Sequence, residues 1–291
     1  MKLNQKTGTA TGTNPVEASA LLNVVRAPLK FRVQTDEKPA VRISTPDTAA
    51  AGVFEWQTIA IADGRPIIDQ LSLETEGFEL RAHDTAVANF YDDEEVRGVY
   101  YPEIERLVKA ATGASRVVVF DHTLRVEDDA HREERSVRGP VHAVHNDYTE
   151  RSGPRRVHDL LDTEDAAHFL EHRFAIVNVW RSIGAPIETT PLAVADAQSI
   201  ARESLLATDL VRPDRVGEIY QVAHHPDQRW YYFPNMRRDE ALLLKCFDSA
   251  TDGRARFTAH TAFDNPAAAD DAPPRESIEV RTLISLAPII H

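Results

Sequence analysis

The chain has 291 residues, 42% of them hydrophobic, 27% charged and 7% aromatic, which suits one large domain or two small ones with an ample core. Asp and Glu outnumber Lys and Arg by 46 to 33, a formal net charge of −13; this argues against a nucleic-acid sheath, which needs a basic face, and leaves room for a local basic pocket for a small anion. The single cysteine, Cys246, excludes an intramolecular disulfide framework and fits a reducing cytoplasm.

Residues 1–15 are polar and rich in Thr, Gly and Asn; they read as a disordered lead-in without the apolar stretch of a signal peptide. A short helix is predicted over 17–25. Pro28, Pro39 and Pro46 then punctuate an extended region, and 45–52 reads as a loop. Residues 53–62 partly alternate apolar and polar, as a half-buried strand would. Asp63-Gly64 forms a turn, and 71–82 is extended with Gly77 as a breaker. After Asp92-Asp93-Glu94, apolar residues from Val96 to Ala111 fall at helical 3–4 spacing; Pro102 sits inside that pattern, so the helix proper opens there, and Gly113 stops it. Residues 117–120 form a buried strand, and the charged run 127–138 reads as a solvated loop. Thr163 is predicted to cap a helix that reaches His172. Strands follow at 174–180, 219–222, 229–233, 241–246, 256–260 and 277–286. No run approaches the roughly 18–20 apolar residues of a membrane span, and no repeat is visible. Short strands with turns between them in the back half predict a sandwich or jelly roll rather than repeating βαβ units.

No GxGxxG, GxxxxGK[ST], GxSxG or HExxH motif occurs, so common nucleotide sites and serine hydrolysis lose ground. The positive signal is His145-Asn146-Asp147. On an extended segment, residues two apart project to one face, so this imidazole and carboxylate can share a metal. A second imidazole from elsewhere would complete the facial triad of non-haem Fe(II) oxygenases. About one accidental HxD is expected from this composition, and two occur. The other, His225/Asp227, has Pro226 in its middle and reads as a turn. His260, ending a predicted strand and followed by turn signals, is the candidate third ligand. Downstream, Arg275, Ser277, Glu279 and Arg281 share one face of a strand, with Ile278 and Val280 on the other. Two arginines and a hydroxyl on one face suit a dicarboxylate; an exposed face with Glu279 pairing an arginine is the plainer alternative.

In this order, HxD, distal His and downstream Arg resemble the Fe(II)/2-oxoglutarate-dependent oxygenases. More specifically, the chain resembles the bacterial and fungal AsaB-type hydroxylase/desaturases, relatives of the cephamycin 7α-methoxylation protein and the fungal gibberellin desaturase. The segments that carry the resemblance are VHNDYTERSGPRRV (144–157), NVWRSIGAPIETTPLAVADAQSI (178–200), GEIYQVAHHPDQRWYYFPNMRRDEALLLKCFDS (217–249), HTAFDNP (260–266) and PPRESIEVR (273–281). Together they cover roughly residues 55–286. The Arg-x-Ser-x-x-x-Arg spacing is also similar to the two-arginine strand of AlkB-type dealkylases.

The resemblance implies an α+β protein built on a double-stranded β-helix, the cupin-like jelly roll, with flanking helices mainly from the N-terminal half. It implies one oxygenase domain over 16–291 with its roll at about 115–286. His145, Asp147 and His260 would hold Fe(II). Arg275, supported by Ser277, would hold the distal carboxylate of the cosubstrate 2-oxoglutarate, with Arg281 the competing arginine; O₂ is the third reactant. Tyr148, Asn178, Trp180, Arg181, Tyr220, His224 and Tyr231 are candidate pocket residues. The implied substrate is a small specialised metabolite, hydroxylated or desaturated, with no nucleic-acid or membrane partner and a cytoplasmic setting. Two rival readings are a non-catalytic jelly-roll binding or accessory protein and an iron oxygenase independent of 2-oxoglutarate.

Overall fold

The computed structural model describes residues 22–42, 52–213 and 215–286; the predicted lead-in, most of the 17–25 helix and most of the 45–52 loop lie outside them. Two sheets form the body. The larger has nine strands, in the spatial order β1 (Val24–Arg32), β3 (Phe54–Asp63), β11 (Trp230–Tyr232), β8 (Leu192–Ala195), β13 (His260–Ala262), β6 (His145–Asn146), β10 (Val216–Val222), β9 (Leu205–Val211) and β2 (Ala40–Arg42). The smaller has five, in the order β4 (Phe78–Ala82), β12 (Glu240–Asp248), β7 (Phe174–Ser182), β14 (Glu276–Ser285) and β5 (Arg116–Val126). The large sheet curls on itself: Lys30 on β1 bridges Ala143, and the Val144 amide donates to the Lys30 carbonyl at 2.9 Å. This is a double-stranded β-helix, with one face of each sheet turned toward a shared core.

That core explains why β7 and β12 carry no exposed residue. On β7, Ile176 and Trp180 point into the roll, among Leu242, Leu244, Val194 and Tyr231. Val177 and Val179 point the other way and pack with Ile104 and Val108 of helix α1 (Tyr101–Thr112). A strand covered on both faces has no reason to alternate with polar residues. Helix α1 has Pro102 in its first turn and Gly113 beyond its last, at φ 69°, as predicted. Each buried Leu, Val or Phe here contributes roughly 1.5–3 kcal/mol relative to exposure.

Several local readings are corrected. Val24 and Val25 open strand β1 rather than ending a helix. The charged run contains a short helix, α2 (Asp129–Arg135), because the Asp128 carboxylate accepts from the His131 amide and caps it. Helix α3 spans Ser152–Leu160. Helix α4 (Thr163–Leu170) is capped by Asp162, one residue before the predicted Thr163. Residues 256–259 are not strand; β13 starts at His260 instead of ending there. Their bonds go sideways: the Thr258 amide donates to the Lys245 carbonyl at 3.1 Å, and its hydroxyl bonds the Gly77 and Lys245 carbonyls, each at 2.8 Å.

Gly77 sits at φ +88°, and a Cβ there would lie 2.3 Å from the Thr258 hydroxyl. Both the backbone and the space demand glycine. Gly77→Ala should destabilise the protein by about 1–3 kcal/mol, read as a lower urea midpoint with an unchanged m-value. An unshifted midpoint would show that this contact is not strained by a methyl group.

Candidate metal centre

Register brings the first two donors together. His145 on β6 pairs directly with His260 on β13, so both imidazoles leave the sheet on one side, with ring centroids 4.5 Å apart. Asp147, two residues after His145, shares that side; its Oδ1 lies 3.6 Å from His145 Nε2. One ligand atom from each of His145, Asp147 and His260 falls within 4.8 Å of the other two. His225 and Asp227 form an exposed turn, with the Asp227 amide 3.3 Å from His225 Nδ1, as their spacing around a proline predicted.

Both imidazoles are oriented in the same way. His145 Nδ1 lies 2.8 Å from the Ala143 carbonyl, and His260 Nδ1 lies 2.9 Å from the Thr258 carbonyl. A ring whose Nδ1–H is taken by a carbonyl presents Nε2 as a lone pair, the usual arrangement behind a metal-bound histidine. Burial, and then the neighbouring His260, pull the His145 pKa down to about 4, so this imidazole is neutral near pH 7. His260 Nε2 is buried and has no hydrogen-bond partner. A buried polar atom without a partner is costly, and this one points at the other two donors.

Asp147 is fixed from behind. Its Oδ2 accepts from Asn178 Nδ2 at 2.8 Å and from Arg281 Nε at 3.1 Å, which leaves Oδ1 for the His145 side. Burial opposes its charge, but Arg281, the two imidazoles and Asn178 outweigh that and hold the carboxyl well below the usual carboxylate range. Arg281 is fully committed: it also reaches Asp121 Oδ1 at 3.0 Å, Thr123 Oγ1 at 3.2 Å and Glu279 Oε1 at 2.5 Å. Burial alone would depress its pKa, yet Glu279, Asp147 and Asp121 together raise it.

Arg275 is the opposite case. It is 2% exposed. Its Nε donates to Ser277 Oγ and its Nη1 to the Thr190 carbonyl, both at 3.0 Å, and its guanidinium lies 4.9 Å above the Trp180 ring. No carboxylate among the described residues pairs with it. Burial first, and then the nearby Arg125, bring its pKa down to about 9, so it stays charged at pH 7. Arg125, part-buried on β5, donates to the Gly139 carbonyl at 2.8 Å and likewise has no directly paired carboxylate among the described residues. Arg125, Arg275, His145, Asp147 and His260 all line one small cavity. Glu279 and Arg281 line it as well; a fully buried guanidinium with no directly paired carboxylate, as in Arg275, is costly unless an anion joins it. A larger cavity, about 400 Å³, lies beside residues 33–39 and 203–207; it contains none of these donors.

Of the remaining predicted residues, Asn178 and Trp180 reach this group. Arg181 does not: adjacent to Trp180 on a strand, it faces helix α1, bonding His83 and lying 5.4 Å from the Tyr100 ring. Tyr148 is buried beside Arg156. Tyr220 packs edge-on against Phe257 at 5.1 Å, and His224 against Phe31 at 5.2 Å. Tyr231 pairs with Val194, the other partner of His260, and packs with Phe78 at 5.9 Å. Cys246 is buried and free; its carbonyl accepts from Asn146 at 2.9 Å, tying the metal-side segment to β12. Arg125 was missed by sequence reasoning. Its strand, β5, runs past the predicted 117–120 as far as Val126 and so carries Arg125 to the site.

A family model described as "Oxidoreductase/YMDC permease-like domain" matches residues 29–285. The Fe(II)/2-oxoglutarate-dependent dioxygenase nvfI of Aspergillus novofumigatus is 33% identical over 268 residues, which is 86% of this chain and 91% of that protein. The hydroxylase/desaturase efuI of Hormonema carpetanum is 34% identical, covering 79% of this chain and 84% of its own. The chain belongs to the AsaB-type hydroxylase/desaturase family of Fe(II)/2-oxoglutarate-dependent oxygenases. A solved structure of the iron and alpha-ketoglutarate-dependent endoperoxidase NvfI superposes with a TM-score of 0.81 at 31% identity, over 90% of this chain and 98% of that one. In this hydroxylase/desaturase the paired histidines, the Asp147 carboxylate and the Arg275 strand all lie inside the matched range.

Proposed function

We propose that this hydroxylase/desaturase binds Fe(II) through His145, Asp147 and His260, and anchors the distal carboxylate of 2-oxoglutarate on Arg275 with help from Ser277 and Arg125. The observation that carries the metal assignment is the orphaned His260 Nε2, turned toward a neutral imidazole and an ionised carboxylate. Two imidazoles and one carboxylate leave coordination positions open, as Fe(II) oxygenase chemistry needs. With 2-oxoglutarate and O₂, the bound iron supplies oxidation of an unactivated C–H bond, the keto acid leaving as succinate and CO₂. The chain's own residues supply position and charge. Asn178 and Arg281 hold the Asp147 carboxylate in one orientation, and the Ala143 and Thr258 carbonyls hold the two rings. The Trp180 ring covers one side of the Arg275 guanidinium. Arg281 stands too deep among carboxylates to accept another, so Arg275 takes the cosubstrate role.

The substrate class is a small specialised metabolite, and the reaction is hydroxylation or desaturation. The oxygenase unit extends from about residue 16 onward and works in the cytoplasm. No helix among the described residues is long and apolar enough to cross a membrane.

The test is anaerobic addition of Fe(II) and then 2-oxoglutarate to the apo-protein. A weak visible metal-to-ligand charge-transfer band is expected only when both are present, followed by succinate formation in air. Iron binding without that band would favour oxygenation independent of 2-oxoglutarate. Absence of iron binding would favour a binding protein without turnover.

A further inference from the structure

A second set of two imidazoles and a carboxylate lies outside the catalytic pocket. His168 stands on the last turn of α4, Glu171 caps that helix, and His172 follows in the turn that leads into β7. One ligand atom from each of the three lies within 4.8 Å of the others, and the two rings are 4.9 Å apart. We propose that His168, Glu171 and His172 form a surface site for a divalent late first-row ion, with zinc as the favoured occupant.

Three features support it. First, His172 Nδ1 lies 3.1 Å from the His168 carbonyl. As a donor there, it leaves Nε2 free, the same orientation device that serves His145 and His260. Second, the Glu171 carboxylate stands at a helix C-terminus, where the helix dipole disfavours negative charge. No cation among the described residues pairs with it, so a bound cation would relieve both charges. Third, the backbone beneath the three ligands is anchored. Ala166 and Phe169, on the opposite face of α4, are buried, and Phe169 packs against Phe174 at the start of β7 with ring centroids 6.4 Å apart. The ligands therefore start from a fixed spacing instead of being gathered from a loop.

Imidazole donors such as His168 and His172 suit borderline ions, and zinc exceeds Fe(II) in the general affinity order for such donors. The exposed position leaves the remaining coordination sites to water. Nothing around this set resembles the Arg275 and Arg125 pair, so no cosubstrate or redox step is assigned to it. Its effect is structural: an ion there ties the end of α4 to the chain entering β7, the strand on which Asn178 holds Asp147. Such an ion, bound only by the folded chain, stabilises it.

The proposal is tested on the untagged full chain by equilibrium dialysis against Zn²⁺ alone. The wild-type protein should bind about one zinc more than H168Q/H172Q. With the buried donors removed in H145Q/H260Q, about one zinc should remain, and it should vanish when the four changes are combined. E171Q should keep the ion but weaken it by about tenfold or more. Zinc should also raise the melting temperature of H145Q/H260Q and leave the quadruple variant unmoved. If H168Q/H172Q binds as much zinc as wild type, the surface site is overturned. That comparison holds even if the buried-site variants fail to fold. A loss confined to H145Q/H260Q would overturn it too, while leaving the iron assignment standing.

Discussion

His145→Gln is expected to remove iron binding and turnover together. Losing one of three protein ligands should exceed the roughly 10–100-fold cost of merely disturbing a ligand's support, so iron affinity should fall by more than about 100-fold. Gln fills nearly the same space, and the partner pairing of β6 with β13 uses backbone groups only, so the fold should survive. Succinate production and iron content under anaerobic conditions read the result, with circular dichroism as the folding control. The same loss is expected for His260→Gln, which removes the orphaned Nε2. A His145→Gln protein that retained full iron occupancy and turnover would show that the metal sits elsewhere.

Arg275→Met should leave iron binding intact while raising the KM for 2-oxoglutarate by about 100- to 1,000-fold, the scale of losing a desolvated charge pair. The methionine keeps the contact with Trp180 but offers no charge. Arg125→Met should act in the same direction and less strongly, since Arg125 already donates to the Gly139 carbonyl. Arg281→Met should fail differently. It strands Asp147, Glu279 and Asp121, whose charges it now shares, and should cost about 3–5 kcal/mol of stability together with iron affinity. Urea unfolding and a 2-oxoglutarate titration separate the two behaviours. If Arg281→Met raised the KM for 2-oxoglutarate with stability and iron affinity unchanged, and Arg275→Met did neither, the two arginines would exchange roles.

The contrast between these arginines shows where sequence reading stops. Arg275, immediately before β14, and Arg281, on it, stand six positions apart, and period-two geometry treats them alike. What separates them is the set of carboxylates brought from other elements: Asp147 from the turn after β6, Asp121 from β5, and Glu279 from their own strand. Arg181 makes the same point. It stands beside Trp180 in the sequence, and the tertiary layer behind β7 decides that its side chain leaves on the helix side. Arg125 was hidden because its strand continues through Asp121, His122 and Thr123, residues that read as strand only when the sheet edge is in view.

Much of the site was nevertheless carried by local rules. The HxD pair shares a face because a strand repeats every two residues, and that holds wherever the strand packs. The opposition of Ile278 and Val280 to Arg275, Ser277 and Arg281 follows from the same period, and the helix ending at Gly113 follows from a left-handed cap. A charged run could not be told from a loop, because a one-residue cap at Asp128 decided α2. The segment 256–259 looked like strand because its residues are apolar enough to be buried, yet its hydrogen bonds run to Gly77 and Lys245. By itself, the sequence determined which residue types share a face and in what order they come. Only the tertiary structure decided which face meets which, and therefore which charges are already satisfied and which are left for a ligand. The physical reason is that burial and charge pairing are set by contacts between residues far apart in the chain, whereas pleat and helix periods are set by neighbours.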